Sequence, residues 1–284
     1  MLSFAALLFA LTLAFAPPTA APKQPKPMPA TPSESLPPPQ PASSYTCRRA
    51  PTAINIDGDI TKPAWQAAPW SSDFVDIEGD LKPKPAFRTR IKMLWDDQYF
   101  YIAAEMQEPH VWATLTERDS VIFHDNDFEV FLNPSNDTKN YYELELNALN
   151  TVWDLLLRKP YREGGSGDNS FNIVGLKTAV KVHGTINDPR DTDTGWDVEI
   201  AIPFKALNIH TKHPGPPKDG DTWKINFSRV EWDTNIIEPT PPTAASIPAY
   251  AKVEGAKEHN WVWSPMGLID MHLPDRWGTV TFKK

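Results

Sequence analysis

The sequence predicts an all-β protein, a two-sheet antiparallel β-sandwich that is jelly-roll-like and carries short helices. Two observations carry this prediction. Apolar and polar side chains alternate with a period of two in many segments, as in strands with one buried face. Turn residues separate those segments at regular intervals. Helical patterns are confined to short stretches such as residues 61–65, where a proline follows a capping threonine.

The clearest alternation lies in two segments on either side of a polar turn at residues 133–140. One face of these segments is apolar and carries Phe128, Val130, Leu132, Tyr142, Leu144 and Leu146. Antiparallel pairing sets Glu129, Glu143, Glu145 and Asn147 side by side on the other face. That face is either a solvated outer surface or a site for sugar hydroxyls or a cation.

A second hairpin is predicted from residues 87–95 and 99–106, which flank the turn Asp96-Asp97-Gln98. Further strands are expected within residues 151–157, 176–182, 196–202, 222–231 and 279–282. Residues 158–174 and 233–260 lack strand periodicity, and loops of this length are usually binding loops or disordered insertions.

Composition divides the 284 residues into three parts. Residues 1–20 contain an uncharged apolar run and are predicted to be a signal peptide, with an uncleaved N-terminal membrane anchor as the alternative. Residues 21–44 are rich in proline and are predicted to be an extended linker. Residues 45–284 hold all eleven tryptophans and form the predicted domain. The expected location is therefore secreted or extracellular.

The net charge limits the kinds of partner that are expected, and the cysteine content limits the possible disulfides. A net charge of −8 excludes a phosphate-backbone ligand, so nucleic acid is not an expected partner. The single cysteine, Cys47, rules out an internal disulfide. It is either a free thiol or the site of an intermolecular link.

An ordered set of short motifs spans residues 53–282. The set comprises Ile56-Asp57-Gly58, Trp65, Lys92-Met93-Leu94-Trp95-Asp96, Glu108-Pro109, Asp127-Phe128-Glu129-Val130-Phe131, Tyr142-Glu143, Gly195-Trp196-Asp197, Trp263-Ser264-Pro265 and the stretch 274–278. In this order the motifs resemble the family 9 carbohydrate-binding module of secreted xylanases. The resemblance implies a β-sandwich that binds a polysaccharide or oligosaccharide, acts beside a glycoside hydrolase and holds calcium.

The resemblance also implies particular site residues. Family members clamp a sugar between two tryptophans and bind it through a carboxylate, an arginine and an asparagine. The carboxylate falls on Glu129 and the asparagine on Asn147. At the other three positions Phe123 replaces the first tryptophan, Met271 lies near the second and Glu145 replaces the arginine. His272 and Arg276 lie beside this site, either as donors to sugar hydroxyls or as anchors of their own loop.

Two other functions stay open at this point. Glu129, Glu143 and Glu145 offer the paired carboxylates that a glycoside hydrolase needs. A haem-binding electron-transfer domain would need an axial Met and His, from the adjacent Met271 and His272, or from Met93 or Met106 with a distant histidine. The acidic run Asp119, Asp125, Asn126 and Asp127 offers either oxygen ligands for calcium or caps for turns.

Overall fold

The computed structural model describes residues 36–208, 214–239 and 247–284. Within these ranges the strands are β1 (Ser44–Arg49), β2 (Val75–Asp76), β3 (Thr89–Trp95), β4 (Tyr99–Met106), β5 (Asp127–Asn133), β6 (Tyr141–Asn147), β7 (Val152–Leu157), β8 (Gly167–Asp168), β9 (Lys177–His183), β10 (Gly195–Pro203), β11 (Thr222–Glu231), β12 (Thr234–Ile237), β13 (Ala249–Lys252), β14 (His259–Val262) and β15 (Gly278–Lys283). Short 3₁₀ helices occupy Pro63–Ala67, Gly79–Leu81, Ile122–His124, Tyr161–Glu163, Phe204–Leu207 and Pro274–Arg276. None of the helices in the described ranges has the length and apolarity of a membrane span.

The predicted signal peptide, residues 1–20, lies outside the described residues, as does the predicted linker up to residue 35. The described end of that linker contacts the domain. Gln40 donates a hydrogen bond to the carbonyl of Glu78 over 2.6 Å, and Ser43 donates to the carbonyl of Trp263 over 2.7 Å. Packing against the domain therefore begins several residues before position 45.

The strands form a curled two-layer β-sandwich, as predicted. Hydrogen bonds join β8, β7, β6, β5, β11, β15, β1, β3, β4, β10 and β9 in that order, and β14 pairs with both β11 and β2. Apolar residues of β5, β6 and β11 share one hydrophobic cluster, the main core, with those of β3, β4 and β10. The two halves of the curled sheet therefore face each other across this core.

Strand β1 departs from the predicted antiparallel pattern. It lies between β15 and β3 and pairs in parallel with both of them, because the start of the domain runs alongside its last strand. Cys47 on β1 is completely buried in the main core. This burial raises the pKa of its thiol well above the usual value. The alternative of an intermolecular link is therefore wrong, and Cys47 is a packed core residue.

The hairpin predicted around residues 133–140 is confirmed as β5 and β6. Its register places Glu129 opposite Glu145 and Asp127 opposite Asn147. Val130 and Leu144 enter the main core, so the acidic residues must project from the opposite, outer face. The turn contains Asn136, Thr138 and Asn140 at positive φ, where asparagine is the more usual choice.

The outer face of this hairpin is covered, unlike the wet surface expected from the sequence. Residues 264–277, the covering segment, lie over it and contribute Met266, Met271 and Trp277 to a second hydrophobic cluster. Phe131 on β5 and Leu155 on β7 belong to the same cluster. Phe131 is two residues from Glu129 and points to the same face of β5. The acidic residues therefore lie at the edge of this second hydrophobic cluster.

The Asp57-Gly58 and Trp65 motifs both contact the buried carboxylate of Glu199 on β10. This carboxylate accepts hydrogen bonds from the backbone amides of Asp57 and Gly58 and from the indole of Trp65. Lys62 completes the site with an ion pair of 2.5 Å. Each donor holds part of the N-terminal segment against β10, so one buried charge orders this segment.

Another buried ion network surrounds Arg229 on β11 and accounts for the Glu108-Pro109 motif. The fully buried guanidinium pairs with Glu108 and Glu231, at 2.7 Å in each case. It also lies over the rings of Phe87 and Trp261. Unlike the outer face of β5 and β6, this network carries its own cation.

We expect Glu199→Ala to lower the free energy of unfolding by about 3–5 kcal/mol, because it leaves three N–H donors without an acceptor and Lys62 with only Asp57 as an ion-pair partner. Urea denaturation followed by tryptophan fluorescence measures the change. The matched control is Glu254→Ala, a change at an exposed glutamate that should cost less than about 0.5 kcal/mol. A Glu199→Ala protein within 1 kcal/mol of the parent, on the order of surface effects, would contradict the anchoring role.

Candidate functional site

Four carboxylates gather on the outer face of β5 and β6 and form the acidic cluster: Asp127, Glu129, Glu143 and Glu145. Strand pairing explains their proximity: Glu129 lies directly opposite Glu145, and Asp127 and Glu143 are each two residues away on the same face of β5 and β6. One oxygen from each of Asp127, Glu129 and Glu145 lies within 4.8 Å of the other two. Exposure is low throughout, at 6% for Glu129 and 2% for Glu145.

No lysine or arginine among the described residues forms an ion pair with this cluster. Burial therefore disfavours the charged forms and raises the pKa of each carboxyl. For Glu129 the pKa rises to about 7, and repulsion from Glu258 adds to the effect of burial. The pKa values of Asp127, Glu143 and Glu145 rise well above normal for the same reason, with repulsion inside the cluster adding to burial.

Ser228 on β11 extends the cluster on its other side. It pairs with Glu129 in the β11–β5 register, so both side chains project from the same face. The hydroxyl offsets part of the burial effect on the pKa of Glu129. Even so, Ser228 Oγ is fully buried and has no hydrogen bond of good geometry, and the same is true of Asp127 Oδ2 and Glu143 Oε2.

Aromatic side chains lie beside the cluster at Glu145. The backbone amide of Phe123 donates to Glu145 over 3.1 Å, and its ring lies 6.5 Å from that of Trp153 at an interplanar angle of 31°. Trp153 is the register partner of Glu145 on β7. The indole of Trp232 donates to the carbonyl of Phe123 and fixes the 3₁₀ turn on which this ring is carried.

His272 closes the opposite side of the cluster. Its Nδ1 lies 3.1 Å from the Tyr141 hydroxyl in a hydrogen bond, and its Nε2 lies 3.9 Å from Glu143. The imidazole also makes an edge contact with the ring of Tyr161. Burial lowers the pKa of His272 to about 4, so the ring is neutral at pH 7 and does not balance the carboxylates.

Residues 56–235 match the family described as carbohydrate family 9 binding domain-like, and this stretch is more than half of the chain. The chain belongs to this family. The matched residues include Phe123, the acidic cluster and Ser228, whereas the covering segment lies beyond the matched stretch. The family 9 resemblance drawn from the sequence motifs is thus confirmed.

Similar proteins come from several bacteria. The endo-1,4-beta-xylanase C of Paenibacillus barcinonensis is 28% identical over 158 residues, which are 55% of this chain and 12% of the xylanase. A protein described as a candidate carbohydrate-binding protein from Bacteroides uniformis has a TM-score of 0.60 and 18% identity, over 86% of this chain and all of the other. The family 9 module of Caldicellulosiruptor kristjanssonii in complex with cellotriose has a TM-score of 0.51 and 15% identity, over 85% of this chain and 94% of the module.

Within this family 9 domain, three of the residues carried over by resemblance are engaged by the protein itself. Asn147 donates to the Leu115 carbonyl and to Asp125, and its carbonyl oxygen accepts from two backbone amides. Arg276 donates to the carbonyls of Met266 and Pro37. Met271 packs in the second core, beneath Trp277. Arg276 therefore makes the hydrogen bonds expected of a loop anchor.

The structure also decides the role of the run before β5. Asp125 accepts hydrogen bonds from the backbone amides of Thr114 and Leu115, which is a turn-capping role. Asn126 binds Glu231 and the amide of Trp232. Asp125 and Asn126 are therefore engaged by the protein itself, and Asp127 is the member of the run that lies in the acidic cluster.

The methionines considered as haem ligands are placed elsewhere. Met93 and Met106 are buried among aliphatic and aromatic side chains of the main core, on β3 and β4. Met271 and His272 are chain neighbours, and His272 is hydrogen-bonded to Tyr141. Met93 and Met106 are therefore packed core residues.

Sequence reasoning found Glu129, Glu143 and Glu145 through the alternation of β5 and β6, and it missed the contribution of β11. Ser228 follows Phe227, a core residue, so the same alternation places it on the outer face. Nothing local indicated that β11 is the neighbour of β5, since about 90 residues separate these strands along the chain.

The raised pKa values predict that stability falls as pH rises through neutrality. Folded Glu129 keeps its proton up to about pH 7, whereas the unfolded side chain loses it near pH 4.5, so the folded state binds more protons in this window. Asp127, Glu143 and Glu145 act in the same direction, because burial raises the pKa of each of them. His272 acts in the opposite direction, but only below pH 6.5, where the unfolded chain takes up a proton first.

We therefore expect the free energy of unfolding, measured by urea denaturation with a chelator present, to fall by on the order of 2 kcal/mol between pH 6.5 and 8.5. Glu143→Gln should flatten this slope, because it removes one buried acid, and Glu254→Gln should leave the slope unchanged. A free energy of unfolding that stays level or increases with pH over this range would contradict the prediction. It would show that folding does not raise the pKa values of the cluster.

Proposed function

We propose that this family 9 domain binds saccharides without catalysing their hydrolysis, at the rim formed by Phe123, Glu129 and Glu145. One observation carries the proposal: the amide of Phe123 binds Glu145, and Glu145 lies opposite Glu129, so an aromatic ring and two carboxylates adjoin. Membership of the family supports a carbohydrate as the ligand class.

The chemistry of this rim suits a pyranose ring. The partly exposed ring of Phe123 offers an apolar plane for the C–H groups of a sugar, and the buried ring of Trp153 lies beside it. The carboxylates are acceptors for sugar hydroxyl protons. The Caldicellulosiruptor kristjanssonii module, which shares this fold, was crystallised with cellotriose and with glucose, and these sugars are the first probes for this chain.

The arrangement of the acids supports binding rather than hydrolysis. A glycoside hydrolase places its two carboxyl groups on either side of the scissile bond, about 5–9.5 Å apart. Here all four project from neighbouring strands of one sheet, and three approach within 4.8 Å of one another. Such a cluster contacts a sugar from one side only.

Export and a hydrolase partner complete the proposal. The apolar run within residues 1–20 supports a signal peptide, and the proline-rich stretch supports a spacer that holds the domain away from its partner. The partial similarity to an endo-1,4-beta-xylanase supports association with an enzyme of polysaccharide breakdown.

The test is calorimetric titration of the purified chain with cellotriose, glucose and xylotriose, at constant calcium. We expect saturable binding of at least one sugar. Phe123→Ala and Glu129→Gln should each weaken it about tenfold, the equivalent of the ~1.4 kcal/mol expected for a lost stacking contact or charged hydrogen bond. Glu254→Gln is the matched control and should bind like the parent.

A reducing-sugar assay on xylan and β-glucan accompanies the titration and should show no release above buffer. Release that disappears in Glu129→Gln would overturn the noncatalytic assignment. Binding that is unchanged in both Phe123→Ala and Glu129→Gln would overturn this location of the site.

A further inference from the structure

Lys252 on β13 is a half-buried cation that lies next to the proposed sugar rim. Its Nζ lies 3.6 Å from the ring centroid of Trp232 and 6.0 Å from that of Trp112. The indole of Trp232 in turn donates a hydrogen bond to the carbonyl of Phe123 over 2.9 Å. A single indole therefore connects this ammonium group to the turn that carries the aromatic ring of the rim.

The β12–β13 hairpin holds Lys252 in this position. Thr234 on β12 is the register partner of Lys252. On the same strand as Lys252, the Tyr250 hydroxyl lies 3.1 Å from His110 Nδ1 in a hydrogen bond, which ties β13 to the loop after β4. Strand β13 lies beyond residues 56–235, the stretch that matches the family, so Lys252 is not one of the matched positions.

The surroundings of Lys252 contain hydrogen-bond donors that have no acceptor. Among the described residues Lys252 forms no ion pair and donates no hydrogen bond. The indole N–H of Trp112, a residue that is 5% exposed, is also buried without a hydrogen-bond partner. Both groups are donors, so an acceptor is the group that this place lacks.

The charges near Lys252 favour an anion as that acceptor. Burial lowers the pKa of Lys252, and the negative charges of Asp125 and Glu258 act against this by favouring the ammonium form. Asp125 already accepts hydrogen bonds from the amides of Thr114 and Leu115. An ammonium group that has lost part of its water and contacts no carboxylate binds an added anion more strongly than a fully hydrated lysine does.

We propose that this domain binds an acidic saccharide, in which the sugar next to the one on Phe123 carries a uronate carboxylate that accepts from Lys252. The inference rests on the proposed function and names the class of its ligand. A uronate differs from a neutral hexose only in the carboxylate at C6. It therefore keeps the C–H face and the hydroxyl groups that suit the rim.

The test is calorimetric titration of the whole chain at pH 6 and constant calcium. At this pH Glu129, with a pKa of about 7, is mostly protonated and repels an anion least. One probe is xylotriose that carries a glucuronic acid side group, and the other is the methyl ester of that saccharide, which has no charge. We expect the uronate to bind about tenfold more tightly than the ester, as for one added charge-assisted hydrogen bond. High NaCl should reduce this preference.

Variants at Lys252 connect the preference to this side chain. Lys252→Gln should bring the ratio of the two affinities close to one, because it removes the charge and keeps a side chain of similar shape. Lys252→Arg should retain most of the preference, because it keeps the charge. Lys218→Gln makes the same charge change at an exposed lysine and is the matched control, in which the ratio should not change. Circular dichroism confirms that the variants are folded.

Equal affinity of the parent chain for the uronate and the ester would overturn the inference. A preference that Lys252→Gln retains, or that Lys218→Gln reduces equally, would also overturn it. If xylotriose and the ester bind without any preference for the uronate, and Phe123→Ala weakens their binding, the proposed function stands and only this inference fails. If a preference that depends on Lys252 persists unchanged in Phe123→Ala, with equal affinities, the anion contact stands and the location proposed for the sugar fails. Absence of binding by all three saccharides refutes both proposals.

Discussion

The antiparallel pairing of β5 with β6 is the constraint on which the site depends. Val130 and Leu144 must enter the main core, and the pleat then forces Glu129 and Glu145 to face each other on the other side. Like charges directly opposite in a sheet are destabilising, and burial under the covering segment increases the cost. Packing of Val130 and Leu144 in the core therefore places two carboxylates, Glu129 and Glu145, against each other on the opposite face.

Elsewhere the domain resolves its buried charges internally. Glu199 has Lys62 and a set of N–H donors, and it orders the N-terminal segment. Arg229 has two carboxylates and two aromatic rings, and it joins β11 to the end of β4. These networks are complete in their hydrogen bonding and function as parts of the fold. The acidic cluster differs because its incomplete pairing persists beside an accessible aromatic ring, and such exceptions concentrate at functional sites.

The covering segment gives this site its particular character. Trp277 and Met271 belong to the same hydrophobic cluster as Phe131, and the carboxylates beside it are buried. A site of this shape raises the strength of each electrostatic contact, because little water remains to screen it. The same burial makes the protonation of the cluster sensitive to pH.

Much of this protein followed from the sequence alone. Alternation placed Glu129, Glu143 and Glu145 on one face of the predicted hairpin, because the direction of a side chain follows from the period of a strand. The ordered motifs identified the family, because each motif is read from a short segment of the chain. Only the tertiary structure showed that β11 brings Ser228 to the cluster. It also showed that Asn147 and Arg276 form hydrogen bonds to loop carbonyls, and that residues 264–277 cover the face expected to be open. The reason is physical: strand neighbours and loop coverage depend on contacts between residues far apart in the chain, which no periodicity within a segment records.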